Sequence, residues 1–344
     1  RSPWVISVSV TLSLAMAIPG IQHSLRFSPP SLFTAGEIEA LQSLQEASSP
    51  EDIAIAWWDY GSGIWYYGDC DVLVHPGRHT DDLFAISHIL LGSSPSETAA
   101  LANSLSGWRA FGRRTPIHKA LANAGYPKKR SLPEAMQRIT SGTKQPPPHD
   151  GRTFLYLPLR QLLFLETIAT FRKDESLGIN ARPRPFARLL QGLRLQDERL
   201  LVYSDNGLVF DMASGATGFA GEGGRVTPMA FASVLLVEYD NDRGATRIRR
   251  MPTDKTGRWA TLDRSTGGIS VETTRPDPEH ELHLVVMPGA DAMVLIDNQA
   301  KSTNAVQMGV LGAYDPNYFR PVYGSLDARV YEILPGGNSS DAVE

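Results

Sequence analysis

The sequence predicts an α+β protein with a mainly helical core and a β-rich insert, preceded by one partial or complete transmembrane helix. Leu and Ala at helical spacing dominate the chain before residue 150, and short β-type runs separated by turns fill residues 181–300. A stretch without any charge precedes both. The length of 344 residues is enough for one large or two small domains, and the net charge of −4 argues against a nucleic-acid partner.

The uncharged stretch, residues 4–21, comes close to the ~20 apolar residues that a membrane-spanning helix needs. Two other interpretations are a signal peptide, because Ala-Met-Ala at 15–17 resembles a cleavage site, and a buried strand followed by a helix. We expect residues 1–22 to be the last transmembrane helix of a longer protein. This chain would then be its C-terminal piece.

Residues 23–180 are predicted to form the helical core. Thr34 and Glu37 make a capping-box pattern at the start of its first helix, and apolar residues recur at helical or strand spacing in the segments that follow. In chain order, the predicted elements are a helix over 35–47, a strand over 53–58, helices over 96–111 and 117–139, a strand over 153–157, and a helix that Pro158 begins.

The β-rich insert is predicted over residues 181–300, and residues 301–334 are predicted to return to the core as a helix over 302–312 and a strand over 328–333. Residues 335–344 form a polar tail that we expect to be disordered. The β-type runs in the insert cover 200–203, 208–210, 230–238, 246–250, 269–273, 282–286 and 293–296.

The candidate site begins with Trp57, Trp58 and Asp59 at the end of the first strand. A hydroxyl group offers one donor and two acceptor lone pairs, whereas Trp can only donate and an ionised Asp can only accept. Two Trp and one Asp can therefore saturate a hydroxyl. The competing interpretation places both Trp in the core and makes Asp59 a turn residue ahead of Gly61.

The pentapeptide WWDYG at 57–61 resembles the signature of the oligosaccharyltransferase catalytic subunits, and the chain looks like the C-terminal periplasmic domain of a bacterial single-subunit member of the PglB type. The resemblance implies that Trp57, Trp58 and Asp59 bind the Ser/Thr hydroxyl of an acceptor sequon. It extends to Trp-Tyr-Tyr at 65–67, Gly-Arg-His at 77–79, Phe-Leu-Tyr-Leu-Pro at 154–158, and segments at 306–315 and 327–331.

The helix after Pro158 carries the second part of the implied site. Where the bacterial family has Met and, three residues later, an Ile that packs against the sequon Ser/Thr, this chain has Gln161 and Phe164, with Ile168 four residues further on. We expect Phe164 to form the pocket wall and to alter the preference between Thr and Ser. The helix face by itself also fits plain core packing. Tyr60, Gly61, Gln161, Ile168 and His79 are expected to support the motif.

The resemblance implies transfer of a lipid-linked oligosaccharide en bloc to the Asn of Asn-x-Ser/Thr in an acceptor polypeptide. It also implies an enzyme in the bacterial inner membrane, with this domain in the periplasm, that uses Mn²⁺ or Mg²⁺ held by ligands outside this fragment. The implied partners are the acceptor polypeptide, the polyprenyl-diphosphate-linked oligosaccharide and the membrane. Catalytic and metal-binding residues are expected elsewhere, so that the fragment alone would be inactive.

Two other functional classes remain open from the sequence. A non-catalytic, membrane-anchored module that binds glycan or peptide would explain the aromatic motif equally well. A metal hydrolase would use Asp69, Asp71, His75 and His79, although their spacing matches no helical metal motif. Asn338 lies in a sequon of its own, which makes self-glycosylation of the tail a weak hypothesis.

Overall fold

The structure is a computed structural model that describes residues 33–74, 80–111, 150–172, 184–191, 193–196, 200–203, 207–220, 226–253, 257–266 and 268–335. The predicted transmembrane segment 1–22, the helix predicted over 117–139, both His75 and His79, and the tail with Asn338 lie outside these residues. Within the described ranges, no helix combines the length and apolar character required to cross a bilayer.

The described elements belong to one compact unit that begins at Gly36, one residue into the first helix. The principal helices are α1 (Ala35–Ala47), α2 (Thr80–Leu90), α3 (Pro95–Phe111), α4 (Leu165–Phe171), α5 (Asn298–Lys301) and α6 (Asn304–Gln307). The strands are β1 (Ile53–Ile55), β2 (Asp71–Val72), β3 (Thr153–Pro158), β4 (Ala187–Gln191), β5 (Leu193–Gln196), β6 (Leu200–Tyr203), β7 (Leu208–Asp211), β8 (Thr217–Ala220), β9 (Val226–Pro228), β10 (Ser233–Asp240), β11 (Ala245–Met251), β12 (Trp259–Asp263), β13 (Gly268–Glu272), β14 (Leu282–Met287), β15 (Ala292–Asp297), β16 (Phe319–Gly324) and β17 (Ala328–Ile333).

A five-stranded mixed sheet, in the order β16-β17-β3-β1-β2, lies among the helices of the first part of the chain. Strand β1 pairs in parallel with both β2 and β3, and every residue of β1, β3 and β17 is buried. The α+β class is confirmed, but the expectation of a mainly helical core understated this sheet. Strands covered on both faces give continuous apolar runs, and periodicity does not separate these from short buried helices.

Residues 187–297 supply the remaining sheets. One has the order β11-β10-β14-β15-β4, a second has the order β5-β6-β7-β8-β9, and β12 pairs with β13 alone. A hydrophobic cluster that includes Phe210, Phe231 and Leu284 fills the interior of this region. All seven predicted β-type runs coincide with strands, whereas β4, β5, β8, β9 and β12 were not predicted. The division of the chain at 181 and 300 into core and insert stays a prediction.

The helices over 35–47 and 96–111 are confirmed within one residue. Pro158, however, is the last residue of β3, and a 3₁₀ helix follows it over Leu159–Phe164 before α4 begins. The single helix predicted over 302–312 is wrong, because α5 and α6 are separate short helices. Thr303 has extended backbone angles between them, and its side chain accepts a hydrogen bond from the N–H of Val306, which starts a new helix.

Candidate functional site

The WWDYG motif lies at the carboxyl end of β1. Trp57 has extended backbone angles, and the N–H of Tyr60 donates to its carbonyl at 3.0 Å, which closes a 3₁₀ turn over Trp58–Tyr60. The chain then continues as a helical segment that ends where Asp69 adopts a left-handed conformation with φ of 49°. The motif follows a buried strand as expected, but the strand predicted over 53–58 ends at Ile55.

Trp57 is almost completely buried, with 1% of its surface exposed. Its indole ring packs against Phe171 of α4, with ring centroids 5.7 Å apart. Its Nε1 is also buried and has no hydrogen-bond partner among the residues that the structure describes. A buried donor without a partner is unusual and costly. Trp57 is therefore both a core residue and a hydrogen-bond donor that this part of the fold does not use.

Trp58 and Asp59 differ from Trp57 because solvent reaches both of them. Tyr60 and Gly61 turn back into the interior and are buried. Within the motif, Trp58 and Asp59 are thus the residues that solvent partly reaches. The structure divides the motif into an accessible pair between buried neighbours, a division that the sequence does not show.

The helix after β3 carries the second part of the expected site. Gln161 is 2% exposed, and neither its amide oxygen nor its amide nitrogen has a hydrogen-bond partner in the described portion of the chain. Ile168 is fully buried, whereas Phe164 is partly exposed at the junction between the 3₁₀ helix and α4. Phe164 alone of these three is open to a ligand. The contact between Trp57 and Phe171 joins this helix to the motif.

Two buried tyrosines and a buried carboxylate lie behind the motif. The Tyr60 ring meets the Tyr156 ring edge-on at 5.8 Å. Burial, and secondly the negative charge of Glu37, raises the pKa of both phenols well above the ordinary value. Both phenols therefore stay protonated at neutral pH. Glu37 is fully buried, and its Oε2 lies 3.6 Å from Nη1 of Arg160, the residue before Gln161.

The acidic loop after the motif does not have the character of a cation site. Oδ2 of Asp71 lies 3.5 Å from Nε of the buried Arg109, and Trp65 donates to Oδ1 at 3.4 Å. A guanidinium already balances this carboxylate. In the described ranges no group of three or more His, Cys, Asp and Glu side chains is placed to hold a metal ion. Burial raises the pKa of Cys70 to about 12, so this thiol stays protonated and is a poor nucleophile.

Glu37, Arg160, Tyr156 and Phe171 were not predicted as neighbours of the motif. Glu37 has a sequence signal for helix capping, but no sequence signal indicates its contact with Arg160. The sequence does not reveal these four residues as neighbours, because each belongs to a different element of the fold. A buried acid and a basic residue on separate helices can be paired only after the topology is known.

The chain is similar to known proteins over the residues described above. Residues 50–175 match the family model of the STT3/PglB/AglB core domain. Over 336 residues the chain is 22% identical to the undecaprenyl-diphosphooligosaccharide–protein glycotransferase of Campylobacter jejuni strain RM1221, and equally to that of strain NCTC 11168. These alignments cover 92% of this chain and 41% of each relative, so the chain spans about two fifths of their length.

The fold also has a solved counterpart. The crystal structure of the C-terminal domain of C. jejuni PglB superposes with a TM-score of 0.54 at 20% sequence identity, and the match covers 86% of this chain and 99% of that domain. The matched family region includes the WWDYG motif, Arg160, Gln161 and Phe164. The resemblance to the PglB type is therefore confirmed: residues 50–175 match the core-domain model, and the fold is similar to that of the PglB C-terminal domain.

Proposed function

We propose that this chain is the acceptor-binding C-terminal part of an oligosaccharyltransferase that moves a lipid-linked oligosaccharide en bloc onto the Asn of Asn-x-Ser/Thr. The observation that carries the proposal is the exposure and hydrogen bonding of the WWDYG motif, which lies within the residues that match the family model. Trp58 and Asp59 are accessible, and the N–H of Trp57 is a buried donor with no partner among the described residues. Two donors and one acceptor match the bonding capacity of a Ser or Thr hydroxyl.

Recognition of the hydroxyl would act on the reaction through position. The amide nitrogen of Asn is a weak nucleophile because its lone pair is delocalised into the carbonyl. A peptide held by its +2 hydroxyl presents its Asn to the reaction centre in one orientation, so that a bimolecular encounter becomes an oriented one. A peptide without the hydroxyl cannot form these hydrogen bonds, and a site built to bind a substrate hydroxyl can discriminate against the analogue that lacks it by a factor approaching ~10⁴.

Phe164 is the side chain that we assign to the wall of this pocket, beside the methyl group of a Thr. Its partial exposure at the start of α4 supports this role, and its neighbour Leu163 is 53% exposed. Gln161 and Ile168 are buried and would support the wall from behind. His79, which we expected to brace the motif, lies outside the described residues, so its role stays a prediction.

The activity of the intact enzyme also belongs to this proposal. The family implies a divalent cation, Mn²⁺ or Mg²⁺, that supports the departing pyrophosphate. The described side chains do not form a set that fits it. We assign its ligands to other parts of the enzyme. The proposed partners are the acceptor polypeptide, the polyprenyl-diphosphate oligosaccharide and the bacterial inner membrane, with this domain on the periplasmic side.

The proposal is tested by titrating the protein with a labelled Asn-x-Thr peptide and with its +2 Ala control, followed by fluorescence anisotropy. We expect the protein to prefer the Thr peptide and Trp58→Ala to lose that preference. Trp65→Ala is the matched control, because Trp65 lies in the same helical segment but is 44% exposed and donates to Asp71. It should keep the preference. Equal binding of both peptides by a folded protein would favour a module without sequon recognition.

A further inference from the structure

A buried carboxylate forms an ion pair with the helix that carries the second part of the proposed hydroxyl pocket. Glu37 is fully buried, and its carboxylate lies 3.6 Å from the guanidinium of Arg160, whose side chain is 35% exposed. Taking a carboxylate out of water is costly unless a charged or hydrogen-bonding partner accompanies it. The Glu37 carboxylate is therefore confined to positions from which it can reach Arg160.

A contact between two aromatic rings joins the motif to β3. Tyr60 immediately follows Asp59, and its ring contacts the ring of Tyr156 edge-on at 5.8 Å. Burial raises the pKa of both phenols, and the charge of Glu37 raises it further while the charge of Arg160 lowers it. The direct contact that Glu37 makes is with Arg160, on the 3₁₀ helix that leads to Phe164.

Asp327 lies close to both elements that carry this ion pair. The N–H of Leu159, next to Arg160, donates to the Asp327 carbonyl at 2.7 Å. On the other side, a Cβ added to Gly36, next to Glu37, would lie 2.6 Å from Oδ2 of Asp327, so only glycine allows this approach. The start of the 3₁₀ helix is therefore hydrogen-bonded to Asp327, and the start of α1 packs closely against its side chain.

From these contacts we infer that Glu37 is a positioning residue, which holds the 3₁₀ helix leading to Phe164 in place through Arg160. The inference rests on the proposed function for its effect on turnover. Buried ion pairs seldom add much net stability over apolar side chains of the same size, but they restrict the geometries that the surrounding elements can adopt. A pocket that must place a single hydroxyl group needs such restriction.

The test compares Glu37→Gln with wild type in the intact enzyme, assayed with a Thr acceptor peptide. Gln preserves the shape of Glu and removes its charge. We expect KM for the peptide to rise about tenfold, because the pocket groups are displaced, while the folded fraction measured by circular dichroism stays unchanged. A purely structural role would instead lower the folded fraction and the apparent kcat together and leave KM as it is.

Glu332→Gln is the matched control, because Glu332 is also buried and pairs with Arg320 on the adjacent strand β16. It should leave the peptide KM unchanged. If Glu37→Gln does not fold, Arg160→Gln tests the same contact from its partly exposed side. An unchanged KM in the folded Glu37 or Arg160 variant, or an equal rise in the Glu332 variant, would overturn the inference. Failure of the proposed function is distinguishable, since it would also leave KM unchanged in Trp58→Ala.

Discussion

The indole ring of Trp57 packs against the phenyl ring of Phe171, with centroids 5.7 Å apart and ring planes inclined by 59°. Phe171 is the last residue of α4, and Phe164 directly precedes the first. This one contact therefore fixes the carboxyl end of β1 against the helix that carries the proposed pocket wall. Core packing and the proposed acceptor recognition share the same side chain, and mutations can separate the two roles.

Trp57→Phe is expected to lose selectivity for the Thr peptide over the Ala peptide while keeping stability within about 1.5 kcal/mol, because an aromatic ring remains. Trp57→Ala should cost about 3–5 kcal/mol, since it empties a buried site. Urea unfolding and peptide titration measure the two effects. Phe171→Leu should lower stability and keep selectivity. Full selectivity in Trp57→Phe would remove the indole N–H from the recognition scheme.

Phe164→Ile is expected to increase the preference for Thr over Ser acceptor peptides. A branched aliphatic side chain packs against the Thr methyl more closely than a phenyl ring, and one buried methyl contributes about 0.8 kcal/mol, which is roughly a fourfold change. Paired glycosylation assays with Thr and Ser peptides measure the ratio. Leu163→Ile, at the exposed neighbouring position, is the control. Equal rates for the two peptides in both wild type and Phe164→Ile would contradict the assignment of Phe164.

Asp71→Asn is expected to reduce the free energy of unfolding by about 3–5 kcal/mol, because it removes the carboxylate charge beside the buried guanidinium of Arg109. The side chains of Arg109 and Asp71 are 2% and 10% exposed. Asp240→Asn breaks a pair with Arg247 whose arginine is 59% exposed, and it should cost less than about 1 kcal/mol. Similar losses in both variants, measured by urea unfolding, would show that burial does not decide the effect.

His283 is expected to make stability fall on acidification. Ser233 Oγ lies 2.7 Å from its Nδ1, and Asn298 Oδ1 lies 2.8 Å from its Nε2. The amide of Asn298 donates to the Pro278 carbonyl, so its oxygen faces the imidazole, which then donates from Nε2. The neutral ring satisfies both contacts. Burial, the largest cause, lowers the pKa of His283 from the ordinary 6.5.

Because the pKa is lower in the folded state, the unfolded chain binds more protons, and the stabilisation is complete above about pH 6.5 and is lost as the pH falls through the folded value. Unfolding free energies measured from about pH 7 to about pH 5 should decline less in His283→Gln than in wild type. His280→Gln, at a partly exposed position, is the control and should follow wild type. Parallel curves for wild type and His283→Gln would exclude this linkage.

Local patterns predicted the elements whose signal lies within their own residues. The helix Ala35–Ala47 has a capping-box sequence pattern and helical spacing, and β14 and β15 are apolar runs bounded by turns. Strands β4 and β8 were missed because charged residues or glycines interrupt their apolar pattern, and pairing with neighbours compensates for it. The size of the first sheet was underestimated because two of its parallel strands, β1 and β2, are only three and two residues long.

The sequence by itself determined the chemistry of the site: two indole donors and one carboxylate at the end of an apolar strand, followed far along the chain by a helix with Gln161 and Phe164. Only the tertiary structure decided that Trp57 is buried while Trp58 and Asp59 are open, and that Glu37 meets Arg160 behind them. Residue type sets which hydrogen bonds a group can form. Burial and charge pairing depend on which distant segments pack together, and that is a property of the whole fold.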